Sequence, residues 1–75
     1  MTTLDHLRIG MRAVVQQIDG VDDVAVRLME MGLTPGVEIA LIGTAPLGDP
    51  LELEVRGYRL SIRRSEAKRI EVTMA

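Results

Sequence analysis

The side chains able to do chemistry are few, and they are spaced too thinly to do it together. His6 is the chain's one histidine, and cysteine is absent. A metal centre built on imidazole or thiolate needs several such groups converging on one ion, so His6 reads as a solvated residue of a polar N-terminal segment. Asp19, Asp22 and Asp23 in "DGVDD" offer hard oxygen ligands, but without the alternating ligands and closing glutamate of a calcium loop. Capping of a following helix explains them better. Ser61 and Ser65 have arginine neighbours but no general base, and no glycine-rich phosphate loop ending in Lys-Ser or Lys-Thr occurs in the chain. The residues therefore point away from nucleotide hydrolysis and thiol chemistry. No catalytic residue, metal site or cofactor is expected, and the chain does not read as an enzyme.

Two surface features remain. The first is electrostatic: residues 1–55 carry three basic and nine acidic side chains, whereas residues 56–75 carry six basic and two acidic ones. Within that basic excess, Arg56, Arg59, Arg63 and Arg64 form a candidate docking patch. The competing reading is the solvated outer face of strands whose other face is core. With a net charge of −2 and a single aromatic residue, Tyr58, the chain is poorly equipped to stack bases or to neutralise many phosphates. No specific nucleic acid is expected. The second feature is the loop "TAPLGDP", Thr44 to Pro50. Pro46 and Pro50 fix φ and favour extended neighbours, Gly48 tolerates φ > 0, Asp49 can accept backbone hydrogen bonds, and Leu47 projects from the tip. The loop is either a hairpin turn or a shaped contact surface.

The elements that must position these features are short. Arg12 to Ile18 reads as a strand whose inward parity switches midway, as at a bulge. Asp22 caps a helix of about residues 22–31, which Gly32 ends, with Val24, Ala25, Leu28, Met29 and Met31 in one arc. "LTPG" fits a type II turn, followed by a strand at 37–43. Leu51, Leu53 and Val55 then alternate against Glu52, Glu54 and Arg56, making a hairpin around the proline loop. "GY" connects to "RLSIR", "RSEAKR" suits a helical turn, and "RIEV" forms a last strand.

These patterns predict a mainly β fold: a small SH3-like antiparallel β-barrel of about five strands with one short helix, occupying residues 1–75 as one domain. Closure of the barrel is expected to remove exposed edges. The expected core is Val15, Ile39, Leu41, Leu53, Val55, Leu60, Ile62 and Ile70. No segment approaches the ~20 apolar residues that cross a bilayer, so no membrane insertion is expected. The cysteine-free composition suits a cytoplasmic setting.

Taken together, "RLMEMGLTPG", "APLGDP" and "RGYRLSIRRSEAKRIEV" closely resemble the FeoA family of bacterial ferrous iron uptake, and the resemblance spans nearly the whole chain. It implies an SH3-like barrel and an accessory role beside FeoB, the membrane transporter whose cytoplasmic domain hydrolyses GTP. The chain would then regulate or assemble that transporter by protein–protein contact. It also implies a partner surface made by Pro46, Leu47, Gly48, Asp49 and Pro50, with Leu28, Met29, Met31 and Leu33 around the helix end, where flexible methionines suit contact surfaces. The family supplies no agreed metal-ligand set. Two other readings stand beside it: the SH3-like C-terminal domain of an iron-dependent repressor of the DtxR type, and a small nucleic-acid-binding barrel using the basic C-terminal strip.

Overall fold

The computed structural model describes residues 2–75. A two-residue strand β1 (Thr2–Thr3) leads into a 3-10 turn (Leu4–His6), followed by β2 (Arg12–Ile18), helix α1 (Asp23–Glu30), β3 (Glu38–Thr44), β4 (Leu51–Val55), β5 (Tyr58–Ile62), helix α2 (Arg64–Ala67) and β6 (Ile70–Met74). The strands form one antiparallel sheet in the order β1-β6-β2-β3-β4-β5. The sheet curls in the SH3-like manner but is not closed, because β1 and β5 are its two ends and do not pair. Closure by hydrogen bonding, expected from the sequence, is thus replaced by an open seam. There α2, which follows β5, packs against the 3-10 turn that follows β1.

Local sequence accounts for most of these elements. Asp22 takes an extended conformation and its carboxylate accepts the Ala25 N–H at 3.3 Å, while Asp23 sits in the first turn of α1 against the positive end of the helix. Gly32, at φ 104, follows the helix, and a side chain there would run into the Tyr58 hydroxyl. Glycine is required at this position on two counts, conformation and space. The parity switch in β2 is a register shift between Val15 and Gln17 opposite β6, so one extra residue bends the strand. Between β4 and β5 the turn residues are Arg56 and Gly57, one position earlier than "GY" implies. Both have positive φ, 50 and 85, as the two-residue turn that matches strand twist requires.

Val15, Ile39, Leu41, Leu53, Val55, Ile62 and Ile70 are buried as expected. Leu60 is only half-buried, because β5 is an edge strand with no neighbour to cover it. The core also takes in Leu4, Leu7, Ala13, Leu28, Leu33, Val37, Leu51, Ala67 and Val72. Leu4 and Leu7 come from the N-terminal segment, where the 3-10 turn tucks them under the barrel. That segment and the two-residue β1 escape a periodicity reading because neither is long enough to show one.

Candidate functional site

The proline loop is built as a turn carrying an unusual residue. Ala45 and Asp49 are extended, as expected before the two prolines. Gly48 N–H donates to Ala45 carbonyl at 2.9 Å, and Ala45 N–H to Pro50 carbonyl at 2.9 Å, closing the loop at its neck. Pro46 and Leu47 occupy the two central positions of the inner turn, and Leu47 has φ 72 and ψ 8. This is the left-handed position of a type II turn, which ordinarily goes to glycine or asparagine. Leu47 is also fully exposed, at 105% relative accessibility. It therefore does not cap the core.

Arg64 fixes the loop to the rest of the molecule. Its guanidinium donates to the Gly48 carbonyl through Nε at 3.3 Å and Nη2 at 2.9 Å, and to the Asp5 carbonyl through Nη1 at 3.0 Å. Its own N–H donates to Asp49 Oδ1 at 3.0 Å. One residue thus joins the loop, α2 and the 3-10 turn across the open seam of the sheet. The four arginines of the expected basic docking patch differ accordingly. Arg64 is a half-buried clamp, whereas Arg56, Arg59 and Arg63 are exposed and none of the three is in an ion pair among the described residues. Asp49 likewise spends one carboxylate oxygen on holding the start of α2. The span of fifteen residues between Asp49 and Arg64 leaves no local sequence signal for this arrangement.

The helix end divides in a similar way. Leu28 and Leu33 are fully buried and are withdrawn from the expected partner surface, since the apolar stripe of α1 faces the barrel. Met29 remains exposed and Met31 half-buried. Met31 and Arg27 of α1, Asp49 and Pro50 of the loop, Ser61, Ile62 and Arg63 along the end of β5, and Glu66 of α2 line an open groove of about 660 Å³. The structure thereby brings together Met31, the Asp49-Pro50 pair and Arg63, from three separate stretches of the sequence, and leaves Leu47 projecting from the same loop. Arg27 pairs with Glu66 across one end of the groove. At the start of β5 the Tyr58 hydroxyl donates to the Met31 carbonyl. The single aromatic ring therefore braces β5 against α1.

Asp19, Asp22 and Arg69 form a separate structural knot. Arg69 bonds both carboxylate oxygens of Asp22, at 3.1 and 2.5 Å, and the Asp19 carbonyl at 3.1 and 3.0 Å. The Arg69 hydrogen bonds, followed by the Ala25 N–H, hold the Asp22 carboxyl below its usual range. His6 lies on the surface, its Nδ1 within reach of the Thr2 and Thr3 hydroxyls at 3.3 and 3.1 Å. Among the described residues, no group of three or more His, Cys, Asp or Glu side chains is placed to hold a metal ion, and no helix is long and apolar enough to cross a membrane.

This frame, a curled sheet with a proline loop and a short helix flanking its β5 edge, has clear relatives. The FeoA domain model matches residues 2–74. A Porphyromonas gingivalis protein described as an "Fe(2+) transport protein A/Fe(2+) transporter FeoB fusion protein" is 35% identical over 71 residues, covering 95% of this chain. The chain spans only 8% of that protein's length. Among solved structures, a FeoA-like protein from Clostridium acetobutylicum is 41% identical with a TM-score of 0.90, covering 97% of this chain and 85% of its own. A Stenotrophomonas maltophilia FeoA solved with zinc, described as an SH3 domain protein, is 35% identical with a TM-score of 0.86, covering 97% of this chain and 91% of its own. With the family model spanning all but the first and last residues, this chain belongs to the FeoA family, a group associated with ferrous iron transport.

Proposed function

We propose that this chain is a cytoplasmic accessory component of ferrous iron uptake that binds the cytoplasmic region of a FeoB-type transporter and regulates or assembles it. The fused relative supports the pairing, because its description joins the two proteins in one polypeptide. On this reading the protein acts by contact and the transporter supplies the GTP chemistry. The proposed contact surface is Leu47 with its supporting loop residues Pro46, Gly48 and Pro50, together with Met31 of the adjoining groove and exposed Met29 on α1, and the exposed arginines Arg56, Arg59 and Arg63 are offered as docking cations.

Leu47 is the observation that carries this reading. Folding gains nothing from a fully exposed leucine, and loses from placing it at positive φ, where a branched side chain crowds the backbone. A residue disfavoured for both solubility and conformation is accounted for by what it touches in a complex. The stiff loop lowers the ordering cost of that contact. The test is Leu47→Ser. Unfolding stability should stay within ~0.5 kcal/mol, as for a surface change, while capture of the transporter's cytoplasmic region and Fe(II) uptake in cells should both fall. Undiminished capture and uptake would refute the contact.

A further inference from the structure

We propose that the outward face of α1 docks a short basic amphipathic helix of a partner protein. The stripe of α1 that meets the core consists of Ala25 and Leu28, with Val24 and Met31 half-buried beside them. Going round the rest of the helix at 3.6 residues per turn, Met29 and Val26 come first, Glu30 and Asp23 next, and Arg27 last. Arg27, like Met31, borders the groove beside the proline loop, so Val26 and Met29 lie on the other flank of the helix. An apolar strip thus adjoins an acidic one on a face left open to solvent.

Neither strip is explained by folding. Val21 and Val26 stand just before the N-cap Asp22 and four residues after it, the two positions whose side chains pack together in a hydrophobic staple. Val21 is 97% exposed and Val26 46%, so the staple is not closed and both valines present apolar surface to water. Met29, three residues on from Val26 and its neighbour on the helix surface, is exposed as well. In the acidic strip, Glu30 is the last residue of α1, where the carbonyl end of a helix disfavours a carboxylate.

Charge and backbone select the occupant. Asp23 and Glu30 are exposed and in no ion pair among the described residues. The cation on α1 and the one on its cap are both matched, Arg27 by Glu66 and Arg69 by Asp22. The unbalanced charge of this face is therefore negative, which favours a basic partner and opposes nucleic acid and anionic lipid. Its backbone is spent on the helix and its caps: Val26 N–H donates to the Asp22 carbonyl, and the Arg27, Leu28 and Met29 carbonyls accept from Met31, Leu33 and Gly32. A docking segment finds no main-chain partners here and has to satisfy its own, as a helix does. Ridges of such a helix fit between those of α1, and cations beside its apolar stripe meet Asp23 and Glu30 as flanking charges do in paired helices. The inference goes beyond the transporter reading: it shares Met29 with the contact proposed above but specifies the segment's chemistry without requiring that the transporter supply it.

The test uses the purified chain and a capped helical peptide with leucines at i, i+3, i+4 and i+7 and lysines along one flank, followed by amide NMR. Shifts are expected at Val21 to Glu30, weakening as salt rises. A central proline in the peptide should abolish them, because it breaks the helix. Glu30→Gln should weaken binding roughly two- to fivefold, the range for an exposed charge pair, without lowering Tm. Val26→Ser should weaken it roughly fivefold, the worth of burying the exposed half of a valine. Any of five results would overturn the proposal: no response at millimolar peptide, an equal response when glutamates replace the lysines, full binding by the proline peptide, unchanged binding by both variants, or shifts centred on the 46–50 loop or elsewhere. A stronger response of these same amides to phosphatidylserine vesicles or to a single-stranded oligonucleotide would overturn it too.

Discussion

Replacing Leu47 with glycine is expected to strengthen the fold while weakening the proposed contact, an unusual combination that follows from the loop's geometry. A residue with a Cβ in the left-handed region costs about 1–2 kcal/mol, and Leu47 sits there at φ 72. Glycine relieves that cost but returns about 0.4–1 kcal/mol through the greater freedom of the unfolded chain. The side chain is fully exposed, so no burial is lost. The net expectation is a gain of about 0.5–1 kcal/mol, which for a domain of this size raises Tm by about 2–8 °C. Leu47→Ala is the control: it keeps the backbone cost, removes the apolar tip and should leave stability within ~0.5 kcal/mol. Both variants go through urea and thermal unfolding, then through capture of the transporter's cytoplasmic region. If the glycine variant lost more than about 1 kcal/mol, Leu47 would be packing on something in the folded chain and the strain estimate would be wrong. If both variants bound as well as the parent, the exposed leucine would have no role in contact.

Leu53→Ala should cost about 2–5 kcal/mol in chemical denaturation, because it empties a fully buried site at the centre of β4; a loss below ~0.5 kcal/mol would contradict the packing. Arg64→Ala should cost about 1–3 kcal/mol by removing charged donors from the Gly48 and Asp5 carbonyls, with faster amide exchange in the 45–50 loop as its signature. The Asp22 carboxyl is held low in the folded state by Arg69 and the Ala25 N–H. Its stabilisation is therefore present above its unfolded pKa of about 3.9 and is lost as pH falls through the folded value. Asp22→Asn should flatten that part of the acid limb of the stability–pH profile, and an unchanged slope would refute the linkage. The isolated chain should neither hydrolyse GTP nor bind Fe(II) with submicromolar affinity, and stoichiometric tight binding in anaerobic calorimetry would overturn that expectation.

The sequence by itself determined what depends on neighbours along the chain. Strict alternation through Leu51, Leu53 and Val55 put three side chains inward, Asp22 and Gly32 bounded the helix, and Pro35-Gly36 and Pro46-Leu47-Gly48 marked turns, because each is a matter of local backbone preference or a period of two or 3.6. Tertiary structure decided what depends on distant partners. Among arginines alike in sequence, Arg64 became a clamp because folding put the Gly48 and Asp5 carbonyls within its reach, while Arg59 and Arg63 are exposed and in no ion pair among the described residues. Leu28 and Leu33 went to the core, and Met29 and Met31 of the same apolar arc stayed at or near the surface, since the width of the buried stripe is set by how the helix lies on the barrel. The open seam between β1 and β5 was equally out of reach. Alternation shows which face of a strand is buried, but whether its edge finds a partner depends on the curl of the whole sheet.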